Sequence, residues 1–303
     1  MTRILTTMWG NADWTARTSL VDRRETGRLR YLWRFWRRAP DHDAAIVVGA
    51  LGARDLYIDL IATGLLKTRR RRPPVVIADA TWEVGSASLE QRLGPLGRVV
   101  PLVARAAIRL IDHPANLYCV LSTDELETFP RTWGIPRERV TFTPFPSTLW
   151  DWWDAEPTTG DYVFAGGESL RDHGLLLRAV EGLDVPVRIA AGNVPSPVPA
   201  NVRAGRVSHD DYMALQLGCR LAVVALKPTI RSAGQQTYLN AMALGKPVII
   251  TEAPGVLDYV DPGRTAFVVP PDPDALRDQI RWVLDPANAE AVAAVAAAGR
   301  RDV

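Results

Sequence analysis

The chain has 303 residues, 47% hydrophobic and 23% charged, a length and balance that suit an α/β protein of two domains able to bury a proper core. Its only cysteines, Cys119 and Cys219, each lie beside an apolar run, which argues against a disulfide framework and for a reducing compartment, the cytoplasm by default. The first residues lack the apolar core of a signal peptide, and no stretch reaches the ~18 unbroken apolar residues of a spanning helix.

The net charge of +2 conceals an asymmetry. Residues 17–40 carry eight arginines against Asp22 and Glu25, and Lys67 with Arg69 to Arg72 forms a second basic run. Such patches attract nucleic acid, anionic lipid or phosphorylated substrates.

In chain order, short β-rich runs alternate with helix-like stretches: RILT at 3–6, AAIVV at 44–48, VVIA at 75–78, LYCVL at 117–121 and VTFT at 140–143. This alternation predicts a parallel sheet covered by helices. Between the first two runs, LRYLWRFWRR at 29–38 puts Leu29, Leu32, Trp33 and Trp36 on one helical face and Arg30, Arg34, Arg37 and Arg38 on the other. It reads either as a helix burying one apolar stripe in the domain or as one lying in an anionic membrane surface.

Asp79, Trp82 and Glu83 follow VVIA, where open α/β sheets place ligand contacts, and are the acceptor-side candidates; a helix-capping Asp79 beside a half-buried Trp82 is the alternative. Ser122-Thr123-Asp124 is a helix start and Gly134 its stop.

A Pro- and Trp-rich stretch at 144–161 reads as an interdomain linker, with Trp150, Trp152 and Trp153 packing at the junction, and places the domains at 1–150 and 151–303. Beyond it the alternation restarts with YVFA at 162–165, VRIAA at 187–191, LAVVAL at 221–226, PVIIT at 247–251 and AFVV at 266–269. Continuous β-branched runs of this kind are strands buried on both faces, and the whole pattern is two consecutive Rossmann-like halves.

The most informative segment is 232–260, SAGQQTYLNAMALGKPVIITEAPGVLDYV. The small residues Ser232, Ala233 and Gly234 open a helix at Gln235, Gln236 and Thr237, where unpaired amides and the helix dipole form a seat for a diphosphate. Lys227 and Arg231 flank this loop and compete to supply charge there. Arg171 follows the Gly166-Gly167 turn and reads as a phosphate clamp or as a surface arginine near a helix start.

With AMALGKPVIIT, YVFAGGESLRDHGLLLRAV and GVLDYVDPGRTAFVVPPDPDALRDQI together, the C-terminal half resembles the retaining GT-B glycosyltransferases, particularly glycosyltransferase family 4 (glycosyltransferases group 1). Upstream, YCVLSTDELETFPRTWGIPRERVTFTPFP is similar to the strand-helix-turn that ends the N-terminal domain of that family. The resemblance implies two Rossmann-like domains with parallel sheets facing across a cleft, acceptor on the first and nucleotide-sugar on the second. It implies transfer of a sugar from a nucleoside diphosphate sugar to an acceptor hydroxyl, with retention and without metal or cofactor.

Residue by residue, the same resemblance casts Arg171, Lys227 and Ser232 as the catalytic set. Gly166, Gly167, Gly234, Gln235, Gln236, Thr237, Asn240 and His209 become donor-binding, with His209 and Tyr212 near the base. One departure stands out: the family commonly has two glutamates where Ser232 and Asn240 stand here. Asn240 keeps an acceptor but loses the charge-assisted bond to ribose hydroxyls. The chain also ends at Asp302-Val303, sooner than the longer closing helix that the resemblance implies.

The acceptor is expected to be a glycan, lipid-linked or small molecule, such as a precursor in polysaccharide biosynthesis, and the protein to be cytoplasmic or peripheral on the inner face of a membrane. The competing expectation is a non-catalytic GT-B subunit that docks a partner or a membrane. A Rossmann oxidoreductase fails because no strand is followed by the Gly-x-Gly-x-x-Gly fingerprint. No nucleic-acid reader motif accompanies the arginines, and the histidines at 42, 113, 173 and 209 lack metal-ligand spacing.

Overall fold

The β-branched runs become strands in a computed structural model that describes residues 2–10, 12–25, 27–49, 57–82, 99–149, 152, 155–156 and 158–303. The chain divides into two compact units, Met1–Thr143 and Pro144–Val303.

The first unit runs β1 Ile4–Thr6, α1 Ala12–Arg17, β2 Thr18–Leu20, α2 Arg28–Arg38, β3 Ala44–Val48, α3 Ile58–Leu65, β4 Val75–Ala78, α4 Val100–Ile111, β5 Asn116–Val120, α5 Glu125–Trp133 and β6 Val140–Phe142. Its strands pair in parallel in the order β2-β1-β3-β4-β5-β6. Every connection from β2 onward steps the same way across the sheet, and right-handed crossovers therefore lay α2, α3, α4 and α5 over one face.

Helix α2 turns Tyr31 and Phe35 fully inward, against a core that includes Leu5, Val47 and Ile77. Burying a side chain of this size contributes about 1.5–3 kcal/mol. The inward face is thus not the one the heptad-like spacing suggested, because Leu29 and Trp33 are left outside and Leu32 and Trp36 are only partly covered. At the start of α5 the Ser122 hydroxyl donates to Glu125 Oε2 and accepts from Glu125 N, while Gly134 closes the helix at φ 71°.

The second unit runs β7 Val163–Gly166, α6 His173–Val180, β8 Val187–Ala190, β9 Val202–Gly205, α7 His209–Leu217, β10 Leu221–Val224, α8 Gln235–Ala243, β11 Val248–Thr251, β12 Phe267–Val269, α9 Pro273–Leu284 and α10 Ala289–Asp302. Its sheet is again parallel, in the order β12-β11-β10-β7-β8-β9. Strands β7, β10 and β11 are buried at every position, as their unbroken apolar runs require.

The stretch read as a linker is fastened to this unit. Phe145 N donates to the Tyr259 hydroxyl, Leu149 is buried with Met213 and Leu244, and Lys246 Nζ donates to the Thr158 carbonyl. Trp152 packs against the same small cluster, whereas Trp150 and Trp153 lie outside the described residues.

Candidate functional site

In the second sheet the chain moves outward from β7 through β8 to β9 and then returns to add β10, β11 and β12 on the other side. The loops leaving β7 and β10 therefore diverge from neighbouring strands, which is where open α/β sheets bind ligands. The sequence places the Gly166-to-Asp172 loop and the Lys227-to-Gly234 loop at this point.

Main-chain bonds stitch the two loops together: Asp172 N donates to Ala225 O and Lys227 N to Leu170 O, at 2.9 Å each. Leu226 N donates to Thr251 Oγ1 from the end of β11. The first loop turns tightly, with Gly167 at φ 94° and Leu170, a residue with a Cβ, held in the left-handed region at φ 54°.

Glycine at 166 is required by packing. A Cβ there would lie 2.5 Å from Tyr212 Cε2, and the Tyr212 ring stands edge-on to Phe164 with its hydroxyl 3.1 Å from Thr237 Oγ1. Four residues along the same face of α7, Gln216 donates from Nε2 to Thr237 O at 2.7 Å. Tyr212 and Gln216 thus buttress the first turn of α8 from below. The 212/216 spacing on a helix was the available signal for Gln216, which sequence reasoning missed.

Arg171 is buried in the centre of the site. It donates from Nε to Gly166 O at 3.0 Å, from Nη1 to Ser169 O at 2.9 Å and from Nη2 to Thr237 Oγ1 at 2.8 Å. Burial holds its pKa below the ordinary arginine value. Most of its donors are engaged by protein, so this side chain fixes the loop against α8, and its charge stands just behind the helix start.

Helix α8 opens at Gly234, whose φ of 92° suits glycine, and no side chain caps its first amides. A Cβ at Gly234 would also sit 3.1 Å from Val224. Gln235 and Thr237 are buried, and Gln235 Nε2 has no hydrogen-bond partner. Ser232 is buried beneath the loop.

Two cations flank the turn. Lys227 is exposed. Arg231 donates to Ser232 O and to Ser169 Oγ, with its Nε buried and unpartnered. Opposite them His173, buried under Gly167, donates from Nε2 to the Gly167 carbonyl at 3.0 Å, and burial lowers its pKa.

The remaining candidates fall elsewhere. Asn240 faces the incoming chain: Oδ1 accepts from Thr148 N at 2.8 Å and from Ser147 Oγ at 3.2 Å, and Nδ2 donates to Thr148 Oγ1 at 3.0 Å. Gln236, one turn before it and exposed, donates to the same threonine hydroxyl. His209 is exposed in the first turn of α7, which Ser208 caps by accepting from Asp211 N.

In the first unit, Asp79 stands at φ 55° just past β4 and accepts from the Thr81 hydroxyl at 2.7 Å. Trp82 turns inward, donating to Gly49 O at 2.8 Å and packing against Tyr118, Phe129 and Trp133. Glu83 lies outside the described residues.

A family model, Glycosyl transferases group 1, matches residues 197–286, a span that runs from before β9 to the end of α9 and contains Lys227, Arg231 and the whole start of α8. Similar solved structures cover nearly all of the chain. One is HepE of Anabaena in complex with UDP-glucose, at TM-score 0.66 and 14% identity over 99% of this chain and 94% of that one. This chain has a GT-B glycosyltransferase fold.

A glycosyltransferase from Rickettsia africae aligns at TM-score 0.63 and 11% identity, covering 99% of this chain and 84% of its own. WaaG, a glycosyltransferase involved in lipopolysaccharide biosynthesis, aligns at TM-score 0.57 and 13% identity, over 99% of this chain and 85% of that one. A search of curated proteins finds no match to this sequence. Within this GT-B chain no helix among the described residues is long and apolar enough to cross a membrane.

Proposed function

We propose that the protein transfers a sugar from a nucleoside diphosphate sugar to an acceptor hydroxyl, with retention of configuration and without a metal. The observation that carries this reading is the meeting of two loops and two flanking cations at the uncapped start of α8, on the switch point of the second sheet. Amides at a helix start favour an anion, and water-poor surroundings strengthen that attraction.

In this scheme the donor diphosphate lies against the amides of Gln235 and Gln236. Lys227 and Arg231 neutralise the charge that grows on the departing diphosphate. Arg171 is a positioning residue, since its bonds to Gly166, Ser169 and Thr237 keep loop and helix in register. Gly166, Gly167 and Gly234 let the backbone approach, Ser232 supports the loop, and His209 stands on the side assigned to the base.

The acceptor oxygen forms the new bond to the anomeric carbon as the bond to the diphosphate breaks, and its proton passes to a leaving phosphate oxygen. The first unit is assigned the acceptor, a glycan, lipid-linked or small molecule, with Asp79 its described candidate. HepE, bound to UDP-glucose, makes that donor the first to try.

Release of the nucleoside diphosphate from UDP-glucose and from other nucleotide sugars, with and without acceptor mixtures, tests the reading. Turnover that falls at least tenfold in Lys227→Ala and Arg231→Ala supports it. A second reading, a non-catalytic GT-B subunit, draws on Asn240, whose amide is engaged by Ser147 and Thr148 where a carboxylate would be needed for ribose. Absence of release from every donor, by a folded protein, would favour that subunit.

A further inference from the structure

The helices that cover one face of the first sheet carry an apolar and strongly basic outer surface. Helix α2 packs on α3, and α3 on α4. On α2, Leu29 is 84% and Trp33 52% exposed; on α4, Leu102 is 63% and Leu110 76% exposed. Between them α3 is buried except along a stripe that includes Ile61 and Leu65, both exposed. The outward side of three adjacent helices is therefore studded with large apolar side chains, more than single scattered residues would give.

The segments that build this surface are one-sided in charge, although Arg72 turns inward to Asn116 Oδ1. Across 27–38, 57–72 and 99–111 the sequence has twelve arginines and lysines and a single acid, Asp59, which is fully buried. Two of these guanidinium groups are laid on indole rings, Arg37 at 5.1 Å from the Trp33 centroid and Arg69 at 4.0 Å from that of Trp36. Trp36 Nε1 is in turn tied to Thr68 Oγ1, which joins the 28–38 helix to the basic run at 69–72.

We infer that this three-helix face docks on an anionic lipid bilayer. Apolar side chains interleaved with arginines suit the boundary between phosphate headgroups and acyl chains, where the leucines enter the hydrocarbon and the tryptophans and guanidinium groups stay at headgroup level. A second copy of the chain would oppose like charge to like charge on this face. A nucleic acid would leave Leu29, Leu102 and Leu110 in water. The inference is independent of the donor chemistry of the second unit.

The test is flotation of the full chain with vesicles of phosphatidylcholine alone and of phosphatidylcholine with a minority of phosphatidylglycerol, at low and high salt. The expected result is flotation with the phosphatidylglycerol vesicles only, weakened by salt. Arg30→Ala and Arg37→Ala each lower the apparent affinity about fivefold. Leu102→Asp lowers it as well while leaving the melting temperature unchanged, and Arg203→Ala, at an exposed position on β9 of the other unit, has no effect.

Equal flotation with both vesicle types, or with neither, overturns the inference. So does binding that Leu102→Asp leaves intact, which would mark unspecific charge attraction, and so does a dimer in sedimentation that Leu102→Asp dissolves.

Discussion

The two units build nearly the same sheet and treat its switch point in opposite ways. In the second, the loops beyond β7 and β10 bring together a helix start without a side-chain cap, an exposed Lys227 and a partly buried Arg231. In the first, the equivalent point between β1 and β3 holds a buried acid: Asp59 Oδ1 accepts from the Tyr31 hydroxyl at 2.5 Å and Oδ2 from Thr7 Oγ1 at 2.6 Å. Val48 N, at the end of β3, donates to the same carboxylate. Topology thus sets where a site can form, and the side chains at that place set its charge.

Removing the hub of either arrangement should cost the most stability. Arg171→Ala takes a donor from three acceptors, of which Thr237 Oγ1 keeps Tyr212, and Asp59→Ala takes an acceptor from three donors, of which Val48 N keeps Thr7 Oγ1; a buried polar group left without its partner costs about 1–3 kcal/mol. Each variant is expected to lose about 3 kcal/mol or more in urea unfolding followed by tryptophan fluorescence. A loss within the ~0.5 kcal/mol typical of surface substitutions would show that the hub is dispensable.

Asn240→Ala should cost about 2 kcal/mol, since it frees Ser147 and Thr148. Limited proteolysis reads this directly: new cleavage within 144–149 is expected, and an unchanged digest would mean that Leu149 alone holds the segment.

Acid should act on the two units with opposite sign. Burial raises the Asp59 pKa above its ordinary value, so the folded state gains from protonation, and this contribution is present at low pH and lost as pH rises through the folded value. Wild type should therefore gain on Asp59→Asn as pH is lowered towards 4. His173 has its pKa lowered by burial, so its contribution is present above the ordinary value of about 6.5 and lost as pH falls. Wild type should accordingly lose ground to His173→Gln below that pH. Chemical denaturation of the three proteins from pH 7 to pH 4 checks both signs, and parallel curves would contradict the burial of either group.

The smallest expected effect on stability is that of Lys227→Ala, within ~0.5 kcal/mol because the side chain is exposed, combined with a loss of nucleotide affinity of about tenfold. Calorimetry separates the two readouts. Weaker folding with unchanged affinity would assign Lys227 to the scaffold.

Both sheets were legible in the sequence wherever a strand is buried on two faces, because β-branched runs such as LAVV and VIIT have no other use. The strands that escaped, β2 (TSL) and β9 (VRAG), are outer edges of their sheets, where one neighbour and little burial leave no such pattern. Gly167 and Gly234 were legible as turn residues as well, since backbone at φ 94° and 92° demands glycine.

Side-chain direction was not legible. Asn240 turns to Thr148, Trp82 to an aromatic cluster and Leu29 outward, and each choice rests on long-range packing that local spacing does not encode. For the same reason 144–161, whose prolines and tryptophans resemble a linker, is partly a strap fastened by Asn240, Tyr259 and Lys246.

The proposed transfer depends on the start of α8 seating a pyrophosphate. Thermal unfolding of the full chain with uridine, guanosine, adenosine, cytidine and thymidine diphosphates tests it most directly. One nucleotide should raise the melting temperature selectively, by an amount equal to about 2.7 kcal/mol of added stability at a hundredfold excess over its Kd, and the rise should shrink in Lys227→Ala. A flat response across the five diphosphates would contradict the claim.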